Sequence, residues 1–376
     1  MAIRHNKNDY HLRIIMSPIP ASPLSSRERV RLALNHQVTD RVPIAMVCSG
    51  INYPVDQAFD ALLRRDHGLN LQTFLAQTLD VRNVQACYVG PPLPHNTDIW
   101  GVRRKAVSYG VAGYDEIEHY PLAAAASIAD LDAHPWPSIA WFDYASLNES
   151  IAAANAGGEH CLMIHNANLF ESSWYMRGFE QIFVDLVENP EFAHALFERV
   201  THFFIAHFTR LLEVADGRVD LAFTADDIAG QRGLLMSLPM WRAFIQPYHA
   251  RLNAAIHQFG VKVIYHSDGA VQQAVPGLID MGIDVLQALQ FSAEGMDAGA
   301  LKAHYGDRLC FEGGVSVQTT LPFGTPDEVR AETRHLIRTL GRGGGYILGP
   351  SHAIQAGTPP ENVWAMFDEA LHPHAG

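Results

Sequence analysis

Cysteine is scarce in this 376-residue chain. Its four thiols, Cys48, Cys87, Cys161 and Cys310, stand far apart and form no CxxC pair. A disulfide framework is not expected, which points to a reducing cytoplasm, and three of the four sit in apolar, strand-like runs that suit a buried, reduced thiol. No Lys/Arg-rich run occurs, and 27 basic against 40 acidic residues leave a net charge of −13, so a nucleic-acid backbone is not an expected partner. No stretch approaches the ~20 apolar residues that span a membrane. No GxGxxG follows the first predicted strand, where Cys48-Ser49-Gly50 stands instead, and the glycine run Gly341–Gly345 precedes a strand rather than opening a helix. What remains is a chain that is 48% hydrophobic and only 18% charged, enough to build a large core.

Residues 1–25 are polar, then Pro/Ser-rich, and read as a flexible N-terminal arm ahead of one catalytic domain over residues 26–376. A helix is expected over 26–36, a buried strand over 41–47 and a helix over 55–65. An irregular, β-rich insertion follows across 80–125, broken by Pro91, Pro92 and Pro94. From residue 143 onward apolar strands at 161–165, 220–224, 261–266, 285–288, 309–312 and 346–348 alternate with amphipathic helices. Those helices include 239–259, 271–281, 326–340 and 360–371. Alternation of this kind implies a parallel sheet. With 41–47 and one strand from the insertion the count reaches eight, the number that closes a (β/α)8 TIM barrel.

In such a barrel the active site lies at the C-terminal ends of the strands. Those ends read His165-Asn166, Asp226-Asp227, His266-Ser267-Asp268, Gln287 to Gln290, Glu312 and Ser351-His352. His266 and Asp268, two apart, point to one side, and His352 comes round the rim to complete a His/Asp/His set suited to Zn²⁺ or Fe²⁺. The alternative is that Asp268 caps the helix starting near Ala270 and the histidines are plain rim residues. Adjacent carboxylates such as Asp226 and Asp227 push one pKa upward in a cleft, which suits a general acid or base; otherwise one caps a turn and the other faces water. Glu171, Trp174, Tyr175 and Arg177 share one helical stretch, giving a carboxylate beside an aromatic wall for a flat or cationic substrate, or simply core packing for Trp174. Gln231, Gln318, Gln355 and Glu312 add polar groups near strand ends.

Several of these segments resemble the uroporphyrinogen decarboxylase superfamily. They are Ser26-Arg27-Glu28-Arg29-Val30 to Arg41-Val42-Pro43, Phe170-Glu171 through Trp174 to Arg177-Gly178, Asp226-Asp227 with Gln231-Arg232-Gly233, His266-Ser267-Asp268-Gly269, and Gly345 to Gln355 followed by Pro359-Pro360-Glu361-Asn362. The resemblance implies a (β/α)8 barrel and either porphyrinogen decarboxylation or zinc- and corrinoid-linked methyl transfer. True decarboxylases of this superfamily carry an arginine-rich segment after the first strand, whereas Val47 to Tyr53 holds no arginine here. Thiol-accepting methyltransferases carry a His-x-Cys pair and a distant Cys as zinc ligands, and those positions fall on His266, Asp268 and His352.

Replacing two thiolates by a carboxylate and an imidazole hardens the site and favours an oxygen-bearing substrate. The resemblance therefore implies a metal-dependent methyltransferase or demethylase acting on a small O-methyl substrate. Zn or Fe would sit on the triad, Asp227, Glu171 and Asp226 would be catalytic, and Trp174, Tyr175, Arg177, Gln231, Gln355 and Glu312 would bind substrate. The methyl acceptor would be a corrinoid on a separate partner protein, since no corrinoid-binding domain is read here, and a homodimer is compatible with this arrangement. A metal-assisted decarboxylase or lyase of a small carboxylic acid, a non-corrinoid iron enzyme and a non-enzymatic binding module are the other readings.

Overall fold

Seven parallel strands are hydrogen-bonded side by side in chain order: β1 (Val81–Val84), β2 (Cys161–Asn168), β3 (Leu221–Ala225), β4 (Lys262–His266), β5 (Val285–Ala288), β6 (Cys310–Val315) and β7 (Tyr346–Pro350). The ring is closed by the segment at 43–47. The Ala45 amide donates to Leu348 O at 2.9 Å and the Leu348 amide to Pro43 O at 2.8 Å, while on the other side the Asp80 amide donates to Ile44 O at 2.8 Å. The segment thus lies between β7 and β1 as the eighth stave of an α/β barrel, joined through a parallel bridge at Ile44. The computed structural model describes residues 23–47, 50–108 and 113–372, so the expected arm at 1–25 falls almost wholly outside the described residues, as does Cys48. Among the described residues no helix is long and apolar enough to cross a membrane.

Side chains alternate in and out along each strand. The inward set, including Ala45, Val47, Val81, Met163, Phe223, Ile264, Val285 and Ile347, packs into one cluster inside the barrel. The outward set joins the helices in a larger apolar shell. Cys161 and Cys310 are free and buried as expected; Cys87 is exposed, because its two-residue strand pairs only with Phe142–Asp143 in the insertion. Within the insertion an antiparallel hairpin runs from Arg103–Ser108 to Gly113–His119. Two expected helices are interrupted. The 239–259 pattern splits into Leu238–Phe244 and Gln246–His257 because Pro247 has no N–H for the preceding turn. The 271–281 pattern likewise becomes a short 3₁₀ turn, Gln272–Ala274, and Val275–Asp280, with Pro276 in the first turn.

The N-terminal end of the barrel is plugged. Helix Ser26–Leu34 inserts Val30 and Leu34 into the inner cluster. Behind it Asp80, fully buried, takes Arg29 Nη1 at 2.7 Å, Arg41 Nη1 at 2.7 Å, Ser26 Oγ at 2.8 Å and the Ile44 amide at 2.8 Å. The arginines of the opening motif are therefore fastenings of the plug. Asp80→Ala would remove the carboxylate shared by Arg29 and Arg41; breaking a buried pair costs about 3–5 kcal/mol, and because Arg29 keeps Asp40 the lower end is expected. The expected outcome is a matching drop in urea unfolding stability at an unchanged slope.

Candidate functional site

At the opposite, C-terminal mouth the structure brings His266, Asp268 and His352 together. One ligand atom from each lies within 4.8 Å of the others. His352 Nε2 is 3.9 Å from Asp268 Oδ2, and the two imidazole centres are 5.9 Å apart. His266 ends β4 and Asp268 follows two residues beyond, while His352 follows β7, as the strand-end pattern requires. The capping alternative for Asp268 is not realised: the turn at Gln272–Ala274 starts from Val271 with no side-chain cap. Asp268 is instead held by its own backbone, whose amide donates to Asp227 Oδ1 at 2.7 Å. Gly269, at φ +84°, lets this loop pass so close to the neighbouring hairpin that a Cβ would lie 2.5 Å from Gly230 O. Burial pushes the Asp268 carboxyl up, opposed by His266 and His352, with Asp227 adding to the rise.

A tetrahedral ion with N and O ligands about 2.0–2.2 Å away needs ligand atoms somewhat closer together than these. Two imidazoles and a carboxylate converging on one point are the donor chemistry that holds such an ion, so the donor set fits a divalent ion. The fit extends behind the ligands, where His266 Nδ1 hydrogen-bonds Gln287 Oε1 and leaves Nε2 facing the cluster.

Glu171 and Asp227 complete the mouth. Asp227 Oδ1 is 3.6 Å from His266 Nε2, and its side chain is partly open to solvent. Glu171 is buried; Tyr175 OH donates to its Oε1 at 3.0 Å and Asn168 Nδ2 bonds its Oε2. Burial first, then the charges of Asp227 and Asp226, raise its pKa to about 7. A carboxyl that exchanges its proton near neutrality beside a cluster of potential metal ligands is equipped to act as a general acid.

Several expected site residues take other roles. Asp226 is fully enclosed and accepts from the Phe170 and Glu171 amides, both at 2.8 Å, and from His249 Nε2 at 2.5 Å. With its oxygens spent on the N-terminus of helix Leu169–Arg177, it positions Glu171 and meets no substrate. Arg177 is likewise buried away from the mouth. It donates to Asp185 at 2.6 and 3.2 Å and to the carbonyls of Leu122, Ala123 and Ala125 at 2.8, 3.3 and 2.6 Å, stapling that segment to the helices. Glu312 is sealed inside the barrel below the mouth, so it does not touch substrate either. Gln231 and Gln318 are engaged with Gln290, whose Oε1 accepts from the Gly269 amide at 3.0 Å, so they brace the Asp268 loop. Gln355 lies exposed beyond β7.

Trp174 packs edge-on against Tyr175 and Phe179, with ring centres 4.3 and 5.2 Å away, and so does the packing work of its alternative reading. Tyr175 faces Glu171 as expected. The sequence reading did not single out Asn168, His249 or Arg104, whose guanidinium lies 5.1 Å from the Tyr175 ring centre. Asn168 lies at the end of β2, three residues before Glu171, where the strand-end rule could have found it; no local pattern marks His249 or Arg104, which come from distant parts of the chain.

A closed parallel α/β barrel with two imidazoles and a carboxylate at its C-terminal mouth defines the class of barrel enzymes that assemble a metal-type site on strand-end loops. The particular family follows from comparison: the profile of uroporphyrinogen decarboxylase (URO-D) matches residues 170–372, more than half of the chain, which therefore belongs to that family. Among curated proteins it is similar to uroporphyrinogen decarboxylase of Anaeromyxobacter dehalogenans, 32% identical over 201 residues, 52% of each chain. It is also similar to methylated-thiol–coenzyme M methyltransferase of Methanosarcina mazei, 30% identical over 177 residues, 47% of this chain and 44% of the relative. The matches thus span about half the length of these relatives. A solved methyltransferase from Methanosarcina mazei shares the fold at a TM-score of 0.64 and 19% identity, covering 92% of this chain and 99% of that one.

Proposed function

We propose that the protein moves a methyl group from a small O-methylated substrate to a corrinoid carried by a separate protein, with a divalent ion, Zn²⁺ or Fe²⁺, held by His266, Asp268 and His352. The observation that carries this reading is the convergence of those three ligands beside the buried Glu171 carboxyl, which in the metal-free chain is raised to about 7. The methyltransferase relative supports the group transferred, and the hard donor set supports oxygen as the atom it leaves. When bound, the ion would supply Lewis acidity at the substrate oxygen.

The chain's own residues would do the rest. Tyr175 and Asn168 hold Glu171 in place, and Asp226 fixes the helix that carries it. As the C–O bond breaks, its electron pair stays on oxygen, which takes the Glu171 proton, while the methyl carbon accepts the electron pair of Co(I) in the acceptor. Products are the free hydroxyl compound and a methyl–Co(III) corrinoid, and Glu171 regains its proton from solvent. Exposed Tyr53, Leu235 and Phe323 follow the first stave, β3 and β6, the last at the end of the short helix Thr320–Phe323, and would give apolar contacts to a docked acceptor protein.

The test is to mix metal-loaded protein with methoxyarenes and reduced cobalamin and to follow loss of the Co(I) absorption. Methylcobalamin and an equal amount of phenol are expected. A second reading, metal-assisted decarboxylation, is favoured by the decarboxylase relatives. Release of CO₂ from carboxylated probes without methyl transfer would establish it in place of the first.

A further inference from the structure

His266, Gln287 and Glu312 occupy one line across three neighbouring strands, paired residue to residue in register on β4, β5 and β6, and all three side chains are buried. Partners in register point to the same face, here the barrel interior beneath the mouth. We infer that Gln287 and Glu312 are positioning residues that fix the tautomer of His266 and so present its Nε2 lone pair to the metal. The inference rests on the metal reading of the His266/Asp268/His352 cluster.

Gln287 Oε1 hydrogen-bonds His266 Nδ1, and on the other side the Gln287 side chain favours the charged form of the Glu312 carboxyl. Its two ends are chemically distinct: the amide N–H₂ only donates and the carbonyl only accepts. With Oε1 on His266, the N–H₂ is the end left for Glu312. An acceptor there requires the imidazole proton to sit on Nδ1. Glu312 is suited to hold the far end because its carboxyl oxygens accept from an N–H₂ group. Its Oε2 meets no donor among the described residues, and complete burial pushes the carboxyl well above its ordinary range.

The bias is needed because the other side of the ring pulls the opposite way. Asp227 Oδ1, 3.6 Å from Nε2, would draw the proton to Nε2 and block that nitrogen as a ligand. An uncharged amide wins this contest without adding a negative charge behind the ion, so the site keeps the Lewis acidity that an oxygen leaving group requires.

Zn²⁺ affinity, measured on the full chain by competition with a chromophoric chelator, tests the line. Gln287→Leu removes the acceptor and is expected to weaken Zn²⁺ binding by roughly 10–100-fold. Gln287→Glu keeps an oxygen toward Nδ1 and is expected to restore affinity to within a few-fold of the parent. A purely structural role would not move the second readout, the imidazole ¹⁵N shifts of metal-free protein. These should show His266 protonated on Nδ1 in the parent and mixed between tautomers in Gln287→Leu. Glu312→Met, which removes the far anchor while filling its space, should move both readouts the same way and keeps the test open where the Gln287→Leu protein does not fold. Unchanged affinity and unchanged tautomer in these variants would overturn the inference while leaving the metal site standing. A parent chain that binds no Zn²⁺ would remove the metal reading itself, and this inference with it.

Discussion

His266→Ala and His352→Ala proteins are each expected to lose a stoichiometric divalent ion on gel filtration, where the parent chain keeps about one. The cluster has three donors, and two donors cannot hold an ion against buffer; loss of one first-sphere ligand exceeds the ~10–100-fold effect typical of an outer partner. Elemental analysis of the three proteins side by side reads the result and identifies the metal. Methyl transfer should fall in the same proportion as metal content, while against the metal-stripped parent the melting temperature of His352→Ala should change little, since that side chain is partly exposed at the mouth. Equal metal content in parent and variants would place the ion elsewhere and remove the triad from the reaction.

Glu171→Gln should lose activity and gain stability, a combination that separates a working acid from a structural one. Loss of the transferable proton is worth ~10²–10⁴ in rate. The stability change follows from proton linkage. The folded chain holds the Glu171 proton up to about 7, above the usual carboxyl value of 4.5, so between those values the native state binds more protons than the unfolded one. Stability is therefore greatest below that window and is lost as pH rises through it. Glutamine has no proton to lose, so at pH 8 the variant should exceed the parent by up to about 3 kcal/mol, and at pH 4 the two should converge. Urea unfolding at both pH values measures this. In turnover the acid form is the active one, so the rate should fall as pH rises past the carboxyl's midpoint. Metal loading moves that midpoint downward, because a nearby cation favours the carboxylate. A variant with parental activity would exclude Glu171 as the proton donor.

The barrel was legible because its signal is periodic. Short apolar runs ending in His, Asp or Glu mark β2, β3, β4, β6 and β7, one ending in glutamines marks β5, and together they place the triad without knowledge of any contact. The first stave at 43–47 was also legible as apolar, although it makes too few ladder bonds to be an independent strand. What the sequence could not separate was side chains aimed at the mouth from those aimed elsewhere. Arg177 lies one turn beyond Trp174 on the helix that carries Glu171, yet Asp185 and three carbonyls hold it on the far side. Asp226 and Asp227 are neighbours in the chain, and strand alternation sends one into the helix N-terminus and the other into the open site. Glu312 ends a β-run like the others, but its register with Gln287 puts it one layer below the rim. These distinctions depend on partners from distant parts of the chain.

The plug made by helix Ser26–Leu34 and the Asp80 ion pairs has a kinetic consequence. A tube sealed at one end has a single door. An acceptor protein seated on that door would bar a small substrate from entering and its demethylated product from escaping. Turnover should then follow a compulsory order, with the small molecule first on and last off, and excess acceptor should slow the reaction by trapping the empty enzyme.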